Sequence, residues 1–362
     1  MDWYSISNPE KVASPALLVY PDRIRQNISE MLRVAGTGSR LRPHIKTHKC
    51  REIVYMQQKA GINKFKCATI AEAEMLGDCQ AQDVLLAYQP VGPTITRLFS
   101  LVEKFPSTTF SALVDNQNTA RSLEEQATSR SLALGVYIDL NVGMNRTGIM
   151  AGPLVEELKS SLQASKYLNL RGWHLYDGHI RQRKFSERKE AVNSAYLEVA
   201  AIVEQDLSLE VIAGGTPTFP VHAMNSRVDL SPGTCLLWDY GYSQGMPDLN
   251  FQHAAVLLTR IISKPGRDLL CVDLGHKAVA SEMPHPRVYF PELGQPNFVK
   301  HSEEHLVMET AEAEKFSVGD ILYGIPVHIC PTTALHQELV VVDNGQATDR
   351  WQVYARNRRI SI

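Results

Sequence analysis

Several features that would assign this 362-residue sequence to other protein classes are missing from it. Its six cysteines, Cys50, Cys67, Cys79, Cys235, Cys271 and Cys330, are scattered without a CxxC pair, so neither a disulfide framework nor a structural zinc knot is expected. No stretch approaches the roughly 18 apolar residues of a membrane span. The opening MDWYSISNPEKVAS has no apolar h-region, and the reading is a cytoplasmic protein. There is no basic run or arginine-rich tail, and the formal net charge is -2, so neither nucleic acid nor a membrane surface is an expected partner. The sequence does have an ordinary globular composition, with 44% hydrophobic and 21% charged residues. Its length calls for two units, or for one large barrel with an appendage.

Short apolar runs alternate with longer amphipathic segments. The runs are RLRPHIK (40–46), KFKCATI (64–70), DVLLAYQP (83–90), TFSALVD (109–115), ALGVYIDLN (133–141), LRGWHLYD (170–177), LEVIAGG (209–215) and RVDLSPGTCLLWD (227–239). Between them, REIVYMQQKAG and AYLEVAAIVEQ show helical spacing, and Thr69 with Glu72 in TIAEAEML reads as a capping box. Eight strand–helix units over about 220 residues predict a (β/α)8 TIM-type barrel of the α/β class, placed at residues 21–245. Beyond residue 245 come HAAVLLTRIISK, DLLCVDLG, HLVMETA, DILYGIPVHIC, ELVVVD and RWQVYAR, separated by Gly and Pro and with little helical spacing. They predict a β-rich second domain over 246–362, with residues 1–20 and their run ALLVY assignable to either.

In such a barrel, chemistry sits at the carboxyl ends of the strands, and a phosphate is often bound after strands seven and eight. Run seven leads into AGGTPT, where Gly214 and Gly215 let backbone amides approach an anion and Thr216 adds a hydroxyl. Run eight contains SPGTC, with Gly233, Thr234 and Cys235 offering similar amides. Lys46, at the end of run one, faces these turns once the barrel closes. A lysine there suits a Schiff base with a phosphorylated aldehyde, its proton affinity lowered by burial and by His44 or His48. A lone lysine at a strand end is usually a solvated charge, and only the register of the two glycine turns favours the reactive reading.

Taken together, PHIKTHK, TIAEAEML, DLNVGMNRTG, HLYDGH, AGGTPT and SPGT, followed by PVHICPT in the β-rich part, resemble the fold-type III pyridoxal-phosphate enzymes. Within these the resemblance is to the D-threonine aldolase and D-serine dehydratase group, and more distantly to alanine racemase; it covers nearly the whole chain in matching order. It implies pyridoxal 5'-phosphate on Lys46, Arg146 beside the cofactor near its ring nitrogen, and Tyr176 against the ring. An arginine there would weaken the ring as an electron sink. It also implies His328 and Cys330 of the β-rich domain as ligands of a divalent metal, zinc first, with manganese or magnesium as alternatives, acting as a Lewis acid on the substrate's β-hydroxyl. His179 of YDGHI is the candidate base for that hydroxyl, and a homodimer is the implied assembly.

The implied activity is a lyase acting on D-3-hydroxy-amino acids. D-threonine aldolase-like cleavage to glycine and an aldehyde comes first. Dehydration of D-serine or D-3-hydroxyaspartate to a keto acid and ammonia is the alternative, and a metal-free racemase or a non-catalytic cofactor carrier are more distant ones. Cys330 resembles the dehydratases, where the aldolases carry an aspartate, whereas Pro331-Thr332 resembles the aldolases. HSEEH (301–305) fits a zinc-peptidase pattern, but its β-like surroundings argue against the helix that pattern needs. The spacing of His44 and His48 would suit a metal site on a helix, which Pro43 opposes.

Overall fold

The computed structural model describes residues 2–362, which fall into two compact units. One comprises Met31–Lys46, Ile53–Gly233 and Asn357–Ile362; the other takes the N-terminal segment through Glu30, Thr47–Glu52 and Thr234–Arg356. The units therefore part after Gly233 rather than at the expected residue 245. The run RVDLSPGTCLLWD is a strand only over Val228–Leu230, because Pro232 has no N–H to continue a ladder.

Strand β1 (Ala16–Val19) belongs to the second unit. The next seven, β2 (Lys64–Cys67), β3 (Asp83–Leu86), β4 (Thr109–Val114), β5 (Leu134–Leu140), β6 (Leu168–Leu175), β7 (Glu210–Ala213) and β8 (Val228–Leu230), form one parallel sheet in sequential order. The first expected strand, RLRPHIK, is reduced to isolated parallel bridges from Leu41 to Leu230 and from His44 to Lys66. These bridges join the β8 edge to the β2 edge. Pro43 cannot donate, but its carbonyl accepts the Lys66 amide at 2.9 Å. Helices fill the crossovers, as the apolar spacing predicts. Thr69 caps Ile70–Asp78 by accepting the Glu72 amide at 3.1 Å, while the Glu72 carboxylate takes the Ala68 amide at 2.6 Å.

Buried Leu85, Leu113, Tyr137 and Ile212, one each from β3, β4, β5 and β7, pack together as a core cluster of this sheet. Toward the strand starts lies a network of paired charges. The fully buried Arg42 reaches Asp83 at 2.5 Å, Glu210 at 3.5 Å and Asp229 at 3.7 Å. Arg171 bridges Asp83 at 2.7 Å and Glu210 at 2.8 Å, and Lys64 holds Asp229 at 2.9 Å. Burial pushes the Asp83 carboxyl up, but Arg42 and Arg171 outweigh it and hold the group below its ordinary range.

In the second unit, the four buried residues of β1 pair antiparallel with β9 (Ala255–Gly266), and Leu18 and Val19 also pair parallel with β15 (Glu338–Asp343), so the run ALLVY lies in this unit's sheet. The remaining strands are β10 (Leu269–Val272), β11 (Val288–Tyr289), β12 (Asn297–His301), β13 (Leu306–Glu309), β14 (Ile321–Pro326) and β16 (Gln346–Gln352). Leu18, Val256, Leu258, Ile325 and Val340 lie at the centre of its core. Among the described residues, no helix is long and apolar enough to cross a membrane.

Candidate functional site

At the carboxyl ends of the parallel strands, Lys46 sits in a 3-10 turn, Ile45–Thr47, half-buried. Its amide donates to His44 Nδ1 at 3.3 Å, and its ammonium has no hydrogen bond or ion pair among the described residues. The neighbouring strand brings up a second amine. Lys66 is 2% exposed, and its Nζ lies 3.4 Å from His174 Nε2. His174 Nδ1 is in turn 2.7 Å from Asp139 Oδ1, and Thr147 donates to Asp139 Oδ2 at 2.9 Å.

Burial lowers the proton affinity of His174, and Lys66 adds to this. For Asp139, burial works upward but the His174 contact outweighs it and keeps the carboxyl ionised. The imidazole is therefore neutral, donating from Nδ1 to the carboxylate and accepting from Lys66 at Nε2. Burial, then the Lys46 charge, pushes the Lys66 amine down to about 7. His48, by contrast, is buried and pushed down to about 3, so it is neutral and is not the neighbouring cation expected beside Lys46.

Tyr176 follows the end of β6, two residues after His174. The Arg146 guanidinium lies 4.7 Å from the centre of its ring, and Lys66 Nζ lies 5.8 Å away. The turn after β7 abuts the same ring: a Cβ on Gly215 would come within 3.3 Å of Tyr176 Cε2. Gly214 has φ +79°, and a Cβ there would meet His222 at 2.8 Å, so the turn requires glycine. Asp177 anchors it, accepting from Thr218 Oγ1 at 2.7 Å and lying 2.7 Å from His222 Nε2.

Three of the amides that were expected to meet an anion are engaged within the chain. Gly214 donates to the Leu175 carbonyl at 3.0 Å, Gly215 to Thr218 Oγ1 at 3.1 Å and Gly233 to Thr216 Oγ1 at 3.1 Å. Buried donors need partners, and these found them locally. The three glycines thus shape the turns and join the loops after β7 and β8. His179 is exposed at the rim, and a Cβ on Gly143 would lie 3.2 Å from its Nε2.

In the second unit, His328 stands at the N-cap position of the helix Ile329–Leu335, without a capping bond from its side chain, and Cys330 lies in the first turn of that helix. Cys330 Sγ is 3.1 Å from Thr47 Oγ1 and 3.3 Å from Thr234 Oγ1, so the Thr234 side chain is turned to the sulfur. Cys235 is buried in the 3-10 turn Thr234–Leu236. His328 Nδ1 lies 2.5 Å from Glu282 Oε1, and the buried Asp239 accepts the Ile329 amide at 3.1 Å. Burial opposes ionisation of both members of the pair. Their mutual contact outweighs it, drawing the Cys330 thiol down and His328 up to about 9.

A thiol whose proton affinity is lowered, beside an imidazole oriented by a carboxylate, suits a soft divalent cation. Among the described residues, no group of three or more His, Cys, Asp or Glu is arranged to hold one. A cation here would therefore have two protein ligands and an otherwise open shell. On the barrel side, an amine, an aromatic face and a guanidinium fit an aromatic aldehyde cofactor.

HSEEH is a hairpin connection between β12 and β13, with the Ser302 amide donating to the His305 carbonyl at 2.8 Å, so no helix presents both histidines and the peptidase reading falls. His44 and His48 each accept an amide two residues ahead, in turns. Lys66, Asp139, His174, Asp177, His222 and Glu282 were not singled out from sequence. The signal for Lys66, Asp139 and His174 was there: each is a polar residue inside an apolar run expected to line a barrel.

Comparison with known proteins agrees with this layout. The family model "Alanine racemase, N-terminal domain" matches residues 19–237, and "Putative serine dehydratase domain" matches residues 254–342. The D-threonine aldolase of Arthrobacter sp is 27% identical over 328 residues, 87% of this chain and 85% of that one. The 3-hydroxy-D-aspartate aldolase of Paracoccus denitrificans (strain Pd 1222) is 26% identical over 364 residues, 96% of this chain and 93% of that one. The crystal structure of D-threonine aldolase from Filomicrobium marinum superposes with a TM-score of 0.85 at 26% identity, covering 95% of each chain.

Proposed function

The chain belongs to the alanine racemase N-terminal domain family, matched over residues 19–237, and from that premise we propose that it is a D-threonine aldolase-like lyase of D-3-hydroxy-amino acids. The observation that carries the proposal is the convergence of Lys46, Lys66, Arg146 and Tyr176 at the carboxyl ends of the parallel strands. Family membership supports pyridoxal phosphate as the cofactor, and the relatives named for D-3-hydroxy-amino acids support the substrate class. A homodimer in the cytoplasm completes the reading; the family resemblance supports the dimer and the sequence composition the compartment.

When bound, pyridoxal phosphate withdraws electrons from the substrate's Cα. Lys46 would hold its aldehyde carbon, Tyr176 its ring face and Arg146 its ring edge. Thr216 would meet its phosphate, on turns shaped by Gly214, Gly215 and Gly233. A divalent cation on His328 and Cys330, with zinc the best match to a thiolate and an imidazole, would supply Lewis acidity at the β-hydroxyl. Glu282 on Nδ1 of His328 fixes that ring and leaves Nε2 for the cation.

In the aldolase reading, His179 takes the proton of the β-hydroxyl, the Cα–Cβ bond breaks as the aldehyde forms, and a proton returned to Cα completes glycine. In the dehydratase reading, Lys46 takes the Cα proton and the hydroxyl leaves. The match of residues 254–342 to a serine dehydratase domain, together with Cys330, favours keeping that second reading. Product analysis decides between them. Glycine and acetaldehyde from D-threonine are the expected result, whereas pyruvate and ammonia from D-serine alone would establish the dehydratase. Full activity after complete metal removal by chelator would sink both lyase readings.

A further inference from the structure

Lys66 is the amine of the barrel site that neither the sequence motifs nor the family resemblance assigns. Its backbone is stitched to the segment that carries Lys46, through the Pro43 carbonyl and the bridge to His44. Its side chain runs inward to end 3.4 Å from His174 and 5.8 Å from the centre of the Tyr176 ring. The charged groups acting on it are Lys46 and Arg42 from the closing segment, Asp139 from β5 and Asp177 after β6. Neither carboxylate is hydrogen-bonded to Lys66. Asp139 is committed to His174 and Thr147, and Asp177 to Thr218 and His222. A fully buried amine hydrogen-bonded to a neutral imidazole loses more by desolvation and by the Lys46 charge than Asp139 and Asp177 restore, so its proton is held weakly until a further anion arrives.

We propose that Lys66 is a further cofactor-facing residue, an amine that takes up a proton when the anionic aldehyde cofactor enters beside Lys46 and Tyr176 and so becomes its buried counter-charge. This rests on the pyridoxal phosphate reading of the barrel site. The coupling runs both ways: an anion near Lys66 favours its ammonium, and the ammonium favours the bound anion. No bond to Lys66 forms or breaks; one proton moves from solvent to its Nζ. The low proton affinity of the amine before binding, about 7, leaves it mostly neutral at pH 8 and able to respond.

The test is calorimetric titration of the full-length apoprotein with pyridoxal phosphate at pH 8, in buffers of different ionisation enthalpy, which counts protons exchanged on binding. Wild type is expected to take up close to one proton more than Lys66→Met, and Lys66→Met to bind about tenfold more weakly, as loss of one charge-assisted contact implies. Lys66→Arg, whose guanidinium stays charged, is expected to bind within a few-fold of wild type yet also lack the uptake. It is the second variant should the apolar one not fold. Equal proton uptake in wild type and either variant overturns the proposal. So does equal weakening by Met and Arg, which would mark a packing role. The absorbance of the bound cofactor is followed in the same samples. Wild-type protein that binds no pyridoxal phosphate overturns the function reading as well, whereas binding with unchanged proton counts overturns only the role of Lys66.

Discussion

The two ends of the parallel barrel treat buried charge in opposite ways. At the strand starts, Arg42, Arg171, Asp83, Glu210, Asp229 and Lys64 each lie within 3.7 Å of an opposite charge. At the strand ends, among the described residues, neither Lys46 nor Lys66 has an ion pair, and Lys66 is hydrogen-bonded to a neutral imidazole. Paired charges in a low-dielectric interior are held in place by one another, and removing one is costly. A buried amine without an ion pair, as Lys66 is, stays chemically responsive, because small changes nearby decide its protonation. The same fold thus keeps one end for integrity and the other for chemistry, the division expected of a TIM-type barrel.

Substitutions at each end test that contrast. The largest effect is expected from Lys46→Ala, which should lower turnover by on the order of 10^3-fold or more and abolish the absorbance band of the bound cofactor. Its midpoint in urea should stay close to that of the wild-type apoprotein, and a band that persisted would remove Lys46 from the site. Next comes Asp83→Ala, which strands Arg42 and Arg171. A loss of about 3–5 kcal/mol in unfolding free energy is expected, with turnover of the folded fraction little changed. If activity fell with stability intact, the two ends would not be separable.

The smallest effect, and the one of opposite sign, is expected from Lys66→Met in the apoprotein. The folded-state proton affinity of Lys66, about 7, lies below the ordinary lysine value near 10.4. Between these pH values the unfolded chain binds more protons, so wild-type stability should rise with pH across that window, with the full penalty present below about 7. The Met variant should lose this slope and gain on the order of 1 kcal/mol at pH 7. Denaturant titrations at pH 7 and pH 9 check it, and a destabilised Met variant at both would contradict the unpaired-charge account.

Much of the fold was legible because its signals are local. Alternation of apolar runs with helical spacing predicts the parallel strands, and Thr69 with Glu72 predicts a helix start, since a cap needs only residues three apart. RLRPHIK was less legible. Pro43 denies it a regular ladder, yet two bridges suffice to join the sheet edges. The turn from β14 into the helix at Ile329 was missed, since DILYGIPVHIC reads as one apolar run. Of the residues the sequence singled out for the proposed site, the structure brings Arg146 and Tyr176 together. Glu282 was not among them, because nothing in SEMPH points to His328.

By itself the sequence determined the strand–helix alternation, the β-rich second region, and a lysine and glycine turns at strand ends where chemistry concentrates. These follow from periodicity and backbone preference within a few residues. Tertiary structure alone decided which polar groups meet. Lys66 and His174 lie 108 positions apart, Arg42 and Asp83 lie 41 apart, and His328 and Glu282 lie 46 apart. It also decided that the amides of Gly214, Gly215 and Gly233 serve the turns, and that Lys66 is buried with no ion pair within 4 Å among the described residues. Proton affinity and hydrogen-bond partnership depend on distance and dielectric in three dimensions, which linear spacing does not encode.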